Sequence, residues 1–115
     1  TKNMIGYSEL KKMKPDACII NASRGGIVNE TDLESVLHEG HLSGAAIDVF
    51  ENEPYTGGLS KIERCLLTSH MGSMSVDCRT KMEIEATEEV VRFFKKEPLQ
   101  GLVPTTEYDN QKESL

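Results

Sequence analysis

Three short apolar runs punctuate the chain: 17–21 (ACIIN), 42–50 (LSGAAIDVF) and 65–69 (CLLTS). Each is about as long as a β-strand and lacks polar–apolar alternation, the pattern of strands covered on both faces of a parallel sheet. Between the first two lies a helix pattern. Asn29 or Thr31 can cap its start, Glu30 and Asp32 put acid in its first turn, and Leu33, Val36 and Leu37 share one face. Gly40 is placed to end it. A second short helix is predicted over 7–14 (YSELKKMK), stopped before Pro15, and 55–64 reads as a polar loop turning at Gly57-Gly58. Beyond Gly72 and Ser73 a long helix carries Met82, Ala86, Val90 and Phe94 as an apolar stripe, with Val91 and Phe93 beside it, up to Glu97-Pro98. Strands alternating with helices over short connections predict a parallel α/β layer structure. Three strands are few for such a sheet. The strand at 17–21 is therefore expected to present a bare edge that invites self-association, and the chain to be one piece of a larger sheet.

Composition narrows the function. The 115 residues carry a formal charge of −6, which argues against nonspecific binding to nucleic acid or to an anionic membrane. Hydrophobic residues make up 37% and charged residues 28%, a globular balance, and no apolar run approaches the ~18 residues of a membrane span. Cys18, Cys65 and Cys78 form neither a CxxC motif nor a tight Cys/His cluster, so no metal site is expected and a reducing, cytoplasmic setting is.

Ligands of open α/β sheets bind beyond the carboxyl ends of the strands. At those positions stand Arg24, within SRGG after the first run; Asp48, Glu51 and Glu53 after the second; and His70, followed by Met71-Gly72-Ser73, after the third. Taken singly, each has a plain structural reading, as a solvated arginine, an exposed acidic turn or a structural histidine. His38 and His41 flank Gly40 and read as cations at a helix carboxyl end, and Met71 and Met74 read as packing residues. Together, the end-of-strand residues suit one chemistry. A guanidinium fork matches a carboxylate, and an imidazole braced by a carboxylate, most naturally Glu53, can pass a proton near neutral pH. Arg24 would hold the acid group of a 2-oxo acid and polarise its carbonyl, and His70 would protonate the forming alkoxide. The hydride must come from a cofactor, because no side chain supplies one.

The stretch IINASRGGIVNETDLESVLHEGHLSGAAIDVFENEP followed by TSHMGS resembles the D-isomer-specific 2-hydroxyacid dehydrogenases, which include phosphoglycerate, glycerate and formate dehydrogenases. The resemblance covers roughly residues 1–104, and SRGG, DVFENEP and HMGS in this order carry it. It implies a partial Rossmann-type, doubly wound parallel sheet, the carboxyl-terminal half of a three-layer α/β/α domain, over residues 1–104, with 105–115 as a polar tail. It further implies catalytic roles for Arg24, Glu53 and His70. Ala22, Ser23 and Arg24 would border the nicotinamide of NAD (or NADP), Asp48 would contact its carboxamide end, and His70, Gly72 and Ser73 would belong to the loop closing over it.

Two departures stand out. Ser69 precedes the histidine where the family often has proline, and no GxGxxG occurs in the chain. The implied activity is interconversion of a D-2-hydroxy acid and its 2-oxo acid, with the chain a carboxyl-terminal fragment that needs the remainder of its own protein, is inactive alone and can form a homo-oligomer. Two other readings stay open: a cofactor-sensing, corepressor-like binding protein on the same fold, and a plain α/β module without a site.

Overall fold

The computed structural model describes residues 1–112. It divides into two compact units, Thr1–Gly72 and Ser73–Leu115, a boundary inside the single span 1–104 expected from the sequence.

The first unit is built on three parallel strands, β1 (Cys18–Asn21), β2 (Gly44–Ile47) and β3 (Cys65–Leu67), side by side in chain order. Cys18 pairs with Gly44 and Asn21 with Ile47, and Ile47 in turn pairs with Leu67. This register brings all three strands to an end at one rim. β1 is an edge of the sheet, as expected. β2 is shorter than the apolar run that contains it: Leu42 and Ser43 precede it, and Asp48, Val49 and Phe50 follow it as buried residues outside the strand.

Two helices and a turn line the sheet. In α1 (Tyr7–Lys12) the backbone N–H of Tyr7 donates to Asp32 of the neighbouring helix at 2.9 Å. In α2 (Glu30–His38) Asn29 is the cap: its side-chain oxygen accepts from the N–H of Asp32 at 3.0 Å. Gly40 lies just past its end at φ +77°, the left-handed conformation that a side chain would strain. His38, in the last turn of α2, lies 3.8 Å from Glu34, and His41 beyond it meets the Leu10 carbonyl of α1 rather than the end of its own helix.

Leu33, Val36 and Leu37 of α2 are fully buried together with Leu10, Leu42 and Leu59. Burial of each leucine contributes about 1.5–3 kcal/mol. Leu59 corrects the expectation of a purely polar loop over 55–64. A 3₁₀ turn (Gly58–Lys61) drives it into the core, and the N–H of Leu59 donates to the Tyr55 hydroxyl at 3.3 Å. Tyr55 and Ile62 of the same segment are partly buried against that core, and the Gly57-Gly58 turn between Tyr55 and Leu59 hides the pattern from a sequence reading.

The strands were expected to be covered on both faces. Within Thr1–Gly72 only one face is covered: Ile19 is 7% exposed and its neighbour Ile20 is 74% exposed, with Leu66 of β3 at 65%. A second helical layer is therefore not contained in this unit.

In the second unit, α3 (Val76–Lys95) is capped by the Ser75 hydroxyl oxygen and ends at Lys96 in the left-handed conformation. Its stripe residues Met82, Val90 and Phe94 are exposed. Glu89 accepts the backbone N–H groups of Gln100 and Gly101 and pairs with Arg92 at 2.6 Å, which folds the chain after α3 back along it. Within the segment 105–115, expected to be polar, Thr105–Lys112 form a helix, α4, while 113–115 lie outside the described residues. Pro104 precedes its first turn, the N–H of Glu107 donates to the Pro104 carbonyl, and Glu107 places acid at the positive helix start. Among the described residues no helix is long and apolar enough to cross a membrane.

Candidate active site

The strand register sets the site. The N–H of Asp48 donates to the Asn21 carbonyl at 2.9 Å, and the N–H of His70 donates to the Asp48 carbonyl at 2.8 Å. The three strand exits are thus stitched to one another just beyond the sheet. Residues separated by more than twenty positions in the chain become neighbours on one rim.

Arg24 leaves β1 on a turn organised by Asn21, which is 5% exposed. The Asn21 amide donates to the Arg24 carbonyl at 3.1 Å, and its oxygen accepts from the Ser23 hydroxyl at 2.9 Å and the Ser23 N–H at 3.3 Å. Ser23 is therefore turned into its own loop. The Arg24 guanidinium touches the Ser23 carbonyl at 2.7 Å and is otherwise exposed. A donor fork held on a polar turn, with most of its N–H groups free, suits an anionic ligand.

Gly25 explains why the turn is glycine-rich. A Cβ there would stand 2.0 Å from the Phe50 carbonyl oxygen and 2.6 Å from the Glu51 nitrogen. The turn after β1 and the acidic turn after β2 are pressed backbone to backbone, and only glycine permits that approach.

The three carboxylates after β2 separate by role. Glu51 faces Lys2 at 2.7 Å, and its N–H donates to Glu30. Glu53 accepts the Phe50 N–H on one oxygen and faces Nδ1 of His70 at 3.0 Å with the other. Those two contacts, the Phe50 N–H first, hold the Glu53 carboxyl below its ordinary range. Asp48, 9% exposed, accepts the Met71 N–H and the Thr68 hydroxyl on one oxygen and the Gly72 N–H on the other. These donors, the Met71 N–H foremost, lower its pKa as well.

His70 adopts φ +54°, a conformation uncommon for residues other than glycine and costing about 1 kcal/mol or more. Its ring is half exposed and meets Glu53 through Nδ1, so Nε2 is the nitrogen left for exchange with a ligand. Arg24, Glu53 and His70 line one cavity of about 530 Å³, shared with Lys2, Phe50 and Glu51. Phe50 is stacked on Tyr55, with ring centroids 4.3 Å apart, and walls the cavity with an apolar surface.

Ala22, Asp48 and Gly72 come together elsewhere on the rim. They line a depression of about 390 Å³ with Ile20, Leu66 and Met71, on the bare face of the sheet. A shallow, almost wholly apolar recess edged by one carboxylate fits a flat heteroaromatic ring carrying a polar substituent. Ser73, expected beside Gly72, is the first residue of the second unit. Two braces escaped the sequence reading. Asn21 is hidden as the polar end of an apolar run, and Thr68 as the penultimate residue of another. A polar residue closing a strand just before a turn is the only signal either gives.

The chain is similar to known proteins in sequence and in fold. Residues 1–72 match the family model described as D-isomer specific 2-hydroxyacid dehydrogenase, NAD binding domain. The glyoxylate reductase of Thermococcus litoralis is 41% identical over 104 residues, which cover 90% of this chain and 31% of that protein. The D-3-phosphoglycerate dehydrogenase of Escherichia coli strain K12 is 37% identical over 99 residues, covering 81% of this chain and 24% of that one. The crystal structure of a glyoxylate reductase from Paecilomyes thermophila matches with a TM-score of 0.84 at 32% identity, over 91% of this chain and 32% of that chain. The chain thus spans less than a third of the length of each of these proteins. Its parallel sheet is the Rossmann-type fragment that the sequence implies.

Proposed function

The chain belongs to the D-isomer specific 2-hydroxyacid dehydrogenase family, and from that premise we propose that it forms part of an NAD(P)-dependent oxidoreductase that interconverts a D-2-hydroxy acid and its 2-oxo acid. The observation that carries this reading is one cavity lined by Arg24 and by a His70 ring braced through Glu53.

In the reductive direction the Arg24 fork binds the substrate carboxylate and draws electron density from the adjacent oxo group. The Glu53 carboxylate holds Nδ1 of His70, which leaves the Nε2 proton for the oxygen that becomes the hydroxyl. In the oxidative direction Nε2 takes that proton back. The nicotinamide supplies or accepts the hydride when bound. Ala22, Asp48 and Gly72 would hold its ring end against the bare sheet face, and the apolar floor there would exclude water from the reacting carbon. The remainder of the full-length protein would complete the nucleotide site and close the substrate cavity, with a homo-oligomer and a cytoplasmic setting as the natural context.

The test is a spectrophotometric assay of the full-length protein with NADH or NADPH and glyoxylate, hydroxypyruvate or pyruvate. Turnover of at least one oxo acid is expected, lost in Arg24→Ala and sharply reduced in His70→Asn. Near-normal rates in both variants would remove the assigned roles. Cofactor binding without turnover would favour a cofactor-sensing scaffold instead.

A further inference from the structure

We propose that Thr68 is a positioning residue whose hydroxyl, donated to Asp48, sets the loop that presents His70; this rests on the role proposed above for His70. The segment after β3 is tied to Asp48 by four hydrogen bonds: from the Thr68 hydroxyl at 2.5 Å and from the N–H groups of His70 at 2.8 Å, Met71 at 2.8 Å and Gly72 at 3.0 Å. The last three are backbone donors that almost any sequence would offer. The threonine hydroxyl alone depends on the identity of a side chain.

The geometry makes that hydroxyl decisive. A carboxylate held only by two adjacent loop amides moves with the loop, whereas a donor on the strand end ties it to the sheet. The Thr68 hydroxyl shares one Asp48 oxygen with the Met71 N–H, which leaves the other oxygen to Gly72. Three donors then fix the plane of the carboxylate instead of two. The anchor is itself rigid, because the Thr68 N–H donates to the Ile47 carbonyl at 3.0 Å and continues the sheet ladder. Thr68 is exposed, so its place is not explained by burial of its methyl group. His70, two residues on, stands at φ +54° with a half-exposed ring, and such a conformation persists only where its surroundings over-determine it. The clamp provides that constraint through the backbone on either side of His70, while Glu53 holds the ring through Nδ1.

The experiment uses the full-length protein with Thr68→Val, which keeps shape and loses the hydroxyl, and Thr68→Ser, which keeps the hydroxyl. For Thr68→Val, kcat should fall about tenfold to a hundredfold, because displacing a reacting group by a fraction of an ångström is costly. KM for the oxo acid should change by less than about threefold, since Arg24 is untouched. Amide exchange at Met71 and Gly72 should quicken while Ala45 and Ile47 in β2 stay protected, and Thr68→Ser should restore both properties. Wild-type kcat and exchange in Thr68→Val would overturn the proposal. So would a Thr68→Ser variant that behaves like Thr68→Val, or exchange that quickens equally in β2, since either points to packing. If the full-length protein turns over no oxo acid, the reading of the function fails, and the exchange data alone decide the clamp.

Discussion

The covered face of the sheet and the rim at its carboxyl end are held by opposite means. Beneath the sheet, Leu10, Leu33, Leu37, Leu42 and Leu59 are fully buried side chains without a polar atom. Along the rim, Asn21, Asp48, Glu53 and Thr68 act almost wholly through directed hydrogen bonds to turns. Apolar packing is tolerant of direction and strong in sum, so it decides that the strands lie where they do. Hydrogen bonds are weak in sum and strict in direction, so they decide where Arg24 and His70 point. Stability and activity should therefore separate by region.

The sharpest break between the regions is expected at Arg24. In the full-length protein Arg24→Ala should lower kcat/KM by about a thousandfold or more while thermal denaturation shifts by no more than about 0.5 kcal/mol. A large loss of stability would mean that the rim also carries the fold. The converse is Leu37→Ala, which empties a fully buried site and should cost about 3 kcal/mol in urea titrations. A cost under about 1 kcal/mol would show a core too loose to set strand positions.

Gly25 stands where the regions meet. Gly25→Ala would force apart the turns at Gly25 and Phe50 and should lose about 2 kcal/mol together with most activity. Stability lost with activity intact would uncouple the two turns.

Acid should weaken the rim before the core. Asp48 and Glu53 both titrate below the ordinary carboxylate range, so the stabilisation each contributes is complete above about pH 4–5 and is lost as pH falls through the depressed values. Urea midpoints measured from pH 7 down to pH 3 should fall less steeply for Asp48→Asn than for the wild type. Equal slopes would contradict the coupling of Asp48 to the His70 loop. The smallest effect is expected on the bare face, where Ile20→Ala in the 115-residue chain should cost under about 0.5 kcal/mol, against about 1 kcal/mol for Ile19→Val beneath the sheet.

Much of the fold was legible because its signals are local. Asn29, Leu33, Val36, Leu37 and Gly40 describe a complete helix within twelve residues, and the structure builds that helix. Leu42 was legible as apolar but not as lying outside the strand, and Leu59 was not legible as a core residue at all. One takes φ +71° beyond a helix end, the other sits in a polar loop, and their burial comes from what the chain packs around them. The helix over 105–112 was not foreseen, since a polar helix without an apolar face leaves no period to detect. At the site, Arg24, Glu53 and His70 could be named from their order after the strands. Nothing local showed that Asn21 and Thr68 brace the turns.

Residue order alone determined that three strands would end in an arginine turn, an acidic turn and a histidine loop, because apolar runs and the polar breaks after them depend only on near neighbours. Tertiary structure decided which face of the sheet is covered, which carboxylate meets the imidazole, and which side chains clamp the loops. Those outcomes depend on register between β1, β2 and β3, which sets partners 17 to 24 positions apart within hydrogen-bonding distance. A hydrogen bond has a reach of about 3 Å, so a shift of one residue along a strand would exchange every one of those partners.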